Sequence, residues 1–148
     1  MGQGSIIGYE INEKTCQISF YNEKDLEPDT LEVDTDNYQI PLIIGKLRDT
    51  WAYGKEAKRL VTIKDGFTAT RLLSKSLAGD KIEFGEETYD AVWLLSQFIQ
   101  MSLQSFPEID GIVFTVPSLS EEMAQMLRGI AVRMNIDKRN IFIQDYKE

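Results

Sequence analysis

The chain has 148 residues, 43% hydrophobic, 27% charged and 10% aromatic, the profile of a globular domain with a real core. Its formal net charge of −8 disfavours nucleic acid as a partner, because a phosphate backbone would be repelled. It has no histidine, which excludes Ser-His-Asp and Cys-His nucleophiles, histidine metal ligation and the usual neutral-pH general base.

In chain order, Ser5 to Ile11 reads as an apolar, β-branched strand. Thr15 to Tyr21 alternates, with Cys16, Ile18 and Phe20 on one face and Thr15, Gln17, Ser19 and Tyr21 on the other. Asn12-Glu13-Lys14 joins the two as a hairpin. The acidic stretch Asn22 to Asp36 reads as a solvated loop, and its spacing matches no calcium loop. A short third strand is expected over Leu31 to Asp34. Gln39 to Gly45 and Thr50 to Tyr53 form a second hairpin about Arg48-Asp49, and Gly54 to Val61 a short helix. Ile63 to Gly85, punctuated by Gly66, Gly79 and Gly85, reads as an irregular insertion with one strand over Lys81 to Phe84.

Thr88 to Ser105 has the helical period, with Val92, Leu95, Ile99 and Leu103 on one face and Ala91, Leu94, Phe98 and Met101 widening it. Pro107 closes the segment. Gly111 to Val116 is an apolar strand suited to a sheet centre. Ser118-x-x-Glu121 fits a capping box, opening a helix to about Met134 with Met123, Leu127, Ile130 and Met134 inward. Ile141 to Gln144 is the last strand. No apolar run reaches the roughly 18 residues of a membrane span. The N-terminus has no leader pattern, and Cys16 is the only cysteine, so the expected setting is cytoplasmic, with no membrane partner.

The order β-β-β, a small insertion around 38–86, then α-β-α-β, defines the fold class: α/β with a mixed sheet. Right-handed βαβ crossovers place two parallel strands beside three antiparallel ones, which is a ribonuclease H-like sheet.

Four segments then resemble the N-terminal lobe of the actin, sugar kinase and heat-shock chaperone ATPase superfamily. They are IIGYEINEKTCQISF at the first phosphate hairpin, YQIPLIIGKLRDTWAYGKEAKR, GIVFTVPSLSEEMAQMLRGIAVRMNI with its Val-Pro strand end, and IFIQDYKE at the first connecting motif. The resemblance implies one such lobe over 1–148, cut from a longer protein, with a C-terminal lobe as its missing partner. ATP and Mg²⁺ are the cofactors it implies for the full-length protein, with none tightly bound to this fragment.

By position, the resemblance makes Glu10 the hairpin acid that acts on Mg²⁺ through water. Asn12, Glu13, Lys14 and Thr15 occupy the phosphate-binding turn. Glu13 makes that turn degenerate. A carboxylate beside a triphosphate is repelled by several kcal/mol at roughly 4 Å and an effective dielectric near 20. Gln144 or Asp145 would position the attacking water, the register between them being open, so Glu10, Gln144 and Asp145 are the candidate catalytic residues. Ordinary roles stand beside these: Glu10 as a solvated strand residue, Gln144 and Asp145 as caps for a following helix.

Three functions are open. One is an ATPase-fold half with weak or absent nucleotide binding in isolation. Another is a nucleotide-independent interaction scaffold on the same fold. The weakest is a ribonuclease H-like nuclease, for which Glu10 and Asp90 supply two carboxylates and the strand to Val116 none. Exposed apolar surface on the Thr88–Ser105 helix and at the strand edge near Ile141 also implies protein partners or self-association.

Overall fold

A computed structural model describes residues 4–21, 29–31 and 38–146. They form eleven strands and four α-helices: β1 (Ser5–Ile11), β2 (Thr15–Tyr21), β3 (Asp29–Thr30), β4 (Gln39–Pro41), β5 (Ile44–Leu47), β6 (Thr50–Tyr53), α1 (Lys55–Lys58), β7 (Gly66–Ala69), α2 (Leu72–Ala78), β8 (Lys81–Phe84), β9 (Glu87–Asp90), α3 (Ala91–Ser102), β10 (Ile109–Val116), α4 (Glu121–Arg133) and β11 (Ile141–Asp145). The protein is mixed α/β and divides into two compact units. The first comprises Met1–Asn12, Cys16–Gln39 and Gln104–Glu148; the second comprises Glu13–Thr15 and Ile40–Leu103. None of the helices in the described residues is long and apolar enough to cross a membrane.

In the first unit five strands run in the order β11-β10-β1-β2-β3. β2 is antiparallel to both β1 and β3, whereas β10 is parallel to both β1 and β11. This is the mixed sheet expected from the element order. The period-2 pattern sets its two faces. Ile7, Tyr9, Ile11, Cys16, Ile18, Ile112, Phe114 and Val116 are all buried, and Tyr9 meets Phe114 edge-on at 5.6 Å. α4 packs beside β11 through Met123, Leu127, Ile130 and Ala131. The expected third strand at Leu31 to Asp34 falls mostly outside the described residues. Leu31 itself lies just past β3 and donates its N–H to Ile18 O at 2.7 Å.

The helix α4 begins two residues later than the capping box suggests. Its N-cap is Ser120, whose hydroxyl accepts from Met123 N at 3.1 Å. Ser118 lies in a bend two residues ahead of the cap, and the Leu119 N–H that follows it is taken by the Asp145 carboxylate at 3.1 Å.

The second unit corrects the reading of Ile63 to Gly85 as irregular. β7 completes a three-stranded sheet, order β6-β5-β7; α2 follows, and β8 pairs with β9 about the turn at Gly85 and Glu86. α2 ends where Gly79 adopts φ 73 and its N–H and that of Asp80 close back on Ser76 and Lys75. α3 starts at Ala91 rather than Thr88, because Thr88 to Asp90 are the end of β9, with Asp90 as N-cap. Its buried residues Leu94, Leu95, Phe98 and Ile99 contribute to this unit's core with Leu42, Ile44, Leu72 and Leu73. The helix expected from Gly54 to Val61 is α1 followed by a 3-10 turn over Arg59–Thr62. An aromatic cluster of Trp51, Phe84, Tyr89 and Trp93 lies to one side of the unit. Lys46 serves that cluster: its ammonium sits 5.2 Å from the Trp51 ring centroid and bonds Glu87 at 3.0 Å.

Two outcomes follow for the first unit. Phe114→Ala removes a fully buried ring and is expected to cost about 3–5 kcal/mol in urea denaturation. Burial pushes the Cys16 thiol from 9.0 up to about 12, against a smaller lowering from a Tyr9 hydrogen bond. Because the folded value is raised, the associated stability is fully present below the unfolded thiol's range and is lost as pH climbs toward about 12. Cys16 is expected to resist iodoacetamide at about pH 8 until the chain is unfolded, and mass spectrometry of native and urea-treated samples measures this.

Candidate functional site

The parallel strands β1, β10 and β11 end side by side, and their register sets a row of polar side chains on one face of the sheet. Glu10 lies opposite Thr115 on one side and opposite Gln17 of β2 on the other, and Thr115 lies opposite Gln144. The Gln144 side-chain amide donates to the Thr115 hydroxyl at 3.1 Å. Tyr146 donates its hydroxyl to the Glu10 carboxylate, and that bond is the main reason its own pKa is raised. Glu10, Gln17, Ser19, Thr115, Gln144 and Tyr146 line a cleft of about 270 Å³. Gly8 forms part of its wall, where any Cβ would strike the Ser19 hydroxyl.

Strand alternation separates Gln144 from Asp145. Gln144 lines the cleft, whereas the Asp145 carboxylate holds Leu119 N. Thr115 and Tyr146 complete the site without having been expected there. Thr115 is the one polar residue within the apolar run Gly111 to Val116, and that interruption was the available signal.

Of the hairpin turn, Glu13, Lys14 and Thr15 belong to the second unit and Asn12 to the first. Both Glu13 carboxylate oxygens are occupied by one residue, accepting from Ser74 N at 2.7 Å and from Ser74 Oγ at 2.8 Å. Ser74 lies in the first turn of α2, where main-chain N–H groups lack helical partners, so Glu13 satisfies a donor that the helix leaves open. The residue before α2, Arg71, is left-handed (φ 53) and supplies no side-chain cap, so this long-range carboxylate does the work a local cap would otherwise do. Lys14 contributes its carbonyl, which accepts from Leu42 N at 2.8 Å. Asn12 and Thr15 also hold interactions of their own.

This donor set does not suit a triphosphate at the turn. The carboxylate of Glu13 already fills the local donors, and its charge opposes phosphate. Among the described residues lining the cleft, Glu10 is the only carboxylate, set among hydroxyls and amides. Among the described residues no group of three or more Cys, Asp or Glu side chains is placed to hold a metal ion. Asp90, the N-cap of α3, is not among the cleft's lining residues.

Replacing Glu13 by Ala leaves the Ser74 N–H without its acceptor and is expected to lower stability by about 1–2 kcal/mol in thermal denaturation. Glu13→Gln, which keeps an oxygen within reach, is expected to recover part of the loss.

Residues 27–148 match the model of a family of unknown function, DUF5716, in its C-terminal part, and the chain belongs to that family. No curated protein matches it.

Proposed function

We propose that this DUF5716 member is a ribonuclease H-like lobe of the actin and chaperone ATPase type whose phosphate hairpin serves as a structural strut, so that the chain acts as a nucleotide-independent interaction scaffold. The observation that carries this reading is the pair of hydrogen bonds from Ser74 to Glu13. In a working hairpin the turn keeps its donors for phosphate oxygens. Here the turn presents an acceptor, and that acceptor holds the start of α2. The strand order, three antiparallel strands continued by two parallel ones, supports the lobe assignment. Such a scaffold would work in the cytoplasm, with a second lobe or another protein as its partner.

A second reading rests on the cleft. Glu10, Thr115 and Gln144 converge at the C-terminal ends of parallel strands, where α/β sheets commonly bind ligands. On that reading the full-length protein, with its other lobe, binds ATP and Mg²⁺, with Glu10 turned to the metal through water and Gln144 near the attacking water.

Calorimetry separates the two. The scaffold reading expects the 148-residue chain to show no ATP·Mg²⁺ affinity tighter than about 0.1 mM. A sub-micromolar dissociation constant for this chain would overturn it. Tight binding confined to the two-lobe protein, abolished there by Glu10→Ala, would establish the second reading instead.

A further inference from the structure

The edge strand β11 carries a self-complementary pattern. It has β10 on one side, and no described strand pairs with its other side. Its five residues, Ile141 to Asp145, include no proline, glycine or lysine of the kind that usually blunts a sheet edge. The main-chain groups facing outward can be identified. Tyr146 N–H donates to Val116 O at 2.8 Å, toward β10. In a parallel ladder successive residues alternate sides, so Phe142 and Gln144 also turn their N–H and C=O groups to β10. Ile141, Ile143 and Asp145 turn theirs outward.

Around Phe142 the sequence is chemically palindromic: Asn140, Ile141, Phe142, Ile143, Gln144. We infer that β11 pairs antiparallel with β11 of a second copy of this chain, about a two-fold axis at Phe142. In that register Ile141 of each copy faces Ile143 of the other, and these are the residues whose main-chain groups point outward. Each such pair exchanges two hydrogen bonds. Phe142 meets its own counterpart at the non-hydrogen-bonded position, where side chains approach most closely. It is 58% exposed in the single chain. It also stands beside Val113 in its cross-strand row, an apolar pair which the second copy would extend. The paired segment is short, because Lys138–Asn140 form a 3-10 turn immediately before Ile141. Moving the axis to Ile143 would set Ile141 against Asp145 instead, so the alternation favours Phe142. The pairing stands apart from the nucleotide question, because it uses the outer edge of β11 rather than the cleft.

The test uses sedimentation velocity and oxidative cross-linking of the 148-residue chain. A reversible dimer is expected across micromolar concentrations, weakened by about tenfold or more in Phe142→Lys, which sets two ammonium groups against each other at the axis. Phe142→Cys is expected to give a disulfide-linked dimer under mild oxidation, since directly opposed residues of such a pair lie within disulfide reach. Cys16 is buried in β2 and does not compete. Gln144→Cys, which lies off the two-fold axis and so does not meet its own counterpart, is expected to stay uncross-linked. The cross-link reads the register even if Phe142→Lys folds poorly. A monomer at every concentration would overturn the inference. So would a dimer indifferent to Phe142→Lys in a folded variant, or cross-linking of Gln144→Cys in preference to Phe142→Cys.

Discussion

The parallel pairing of β1 with β10 is the constraint on which the first unit depends. It joins segments about a hundred residues apart, from Ile6 beside Gly111 to Glu10 beside Thr115. Closing so long a loop costs chain entropy, and the cost grows only slowly with length. Contacts at this separation instead favour slow formation of the sheet. The return comes from burial on one face. Ile7 and Tyr9 of β1 and Ile112 and Phe114 of β10 are each at most 1% exposed, so the two strands share a continuous apolar surface. The same pairing, by fixing parity, delivers Glu10 and Thr115 to the opposite face at the strand ends. Core and cleft are therefore two consequences of one register. A slip by one residue would exchange them, burying Glu10 and exposing Tyr9.

Within the second unit the comparable fastening is the Glu13 carboxylate on Ser74. The hairpin turn and α2 are 61 residues apart in sequence, and the bond closes that interval through a charged acceptor on a main-chain donor. Charge-assisted bonds of this kind are shorter and stronger than neutral ones. The carboxylate at this place thus holds the α2 start across that interval.

The first hairpin was fully legible because alternation and turn chemistry agree there: β1 and β2 occupy the spans read from their patterns, Ser5–Ile11 and Thr15–Tyr21. The last strand and most of the buried face of α4 were legible for similar reasons, though Met134, expected inward, is the half-buried C-cap and Ala131 takes its place. Other segments were not. α2 opens after a left-handed Arg71 without a side-chain cap, and its acceptor comes from Glu13, so no local signal marks its start. β7 is a four-residue strand with only Phe67, stacked on Phe84 at 5.5 Å, and Ala69 on its apolar face, too short a run for a period to show. At α3 the strand Glu87–Asp90 runs directly into the helix, and only Asp90, as a capping residue type, separates the two periods. Of the candidate site, Glu10 and Gln144 could be named by position. Their neighbour Thr115 and the division of labour between Gln144 and Asp145 required the strand register, which sequence spacing alone does not supply.

The exposed face of the sheet is divided by depth along the strands. Toward the strand ends it presents Gln17, Glu10, Thr115 and Gln144, and one pleat repeat earlier it presents Ser19, Gly8, Val113 and Phe142. The first row is polar throughout. The second turns from small and polar at β2 to fully apolar at β11, where Phe142 is largely exposed. Ligands that need hydrogen bonds have reason to approach at the strand ends, over Glu10. Surfaces that need apolar cover have reason to approach at the β11 side. Gly8 stands in the second row on β1, where a Cβ would make the Ser19 hydroxyl rotate away. The polar row over Glu10 and the apolar margin at Phe142 thus lie on different rows of one sheet face, so a partner on the β11 edge need not exclude a ligand over Glu10.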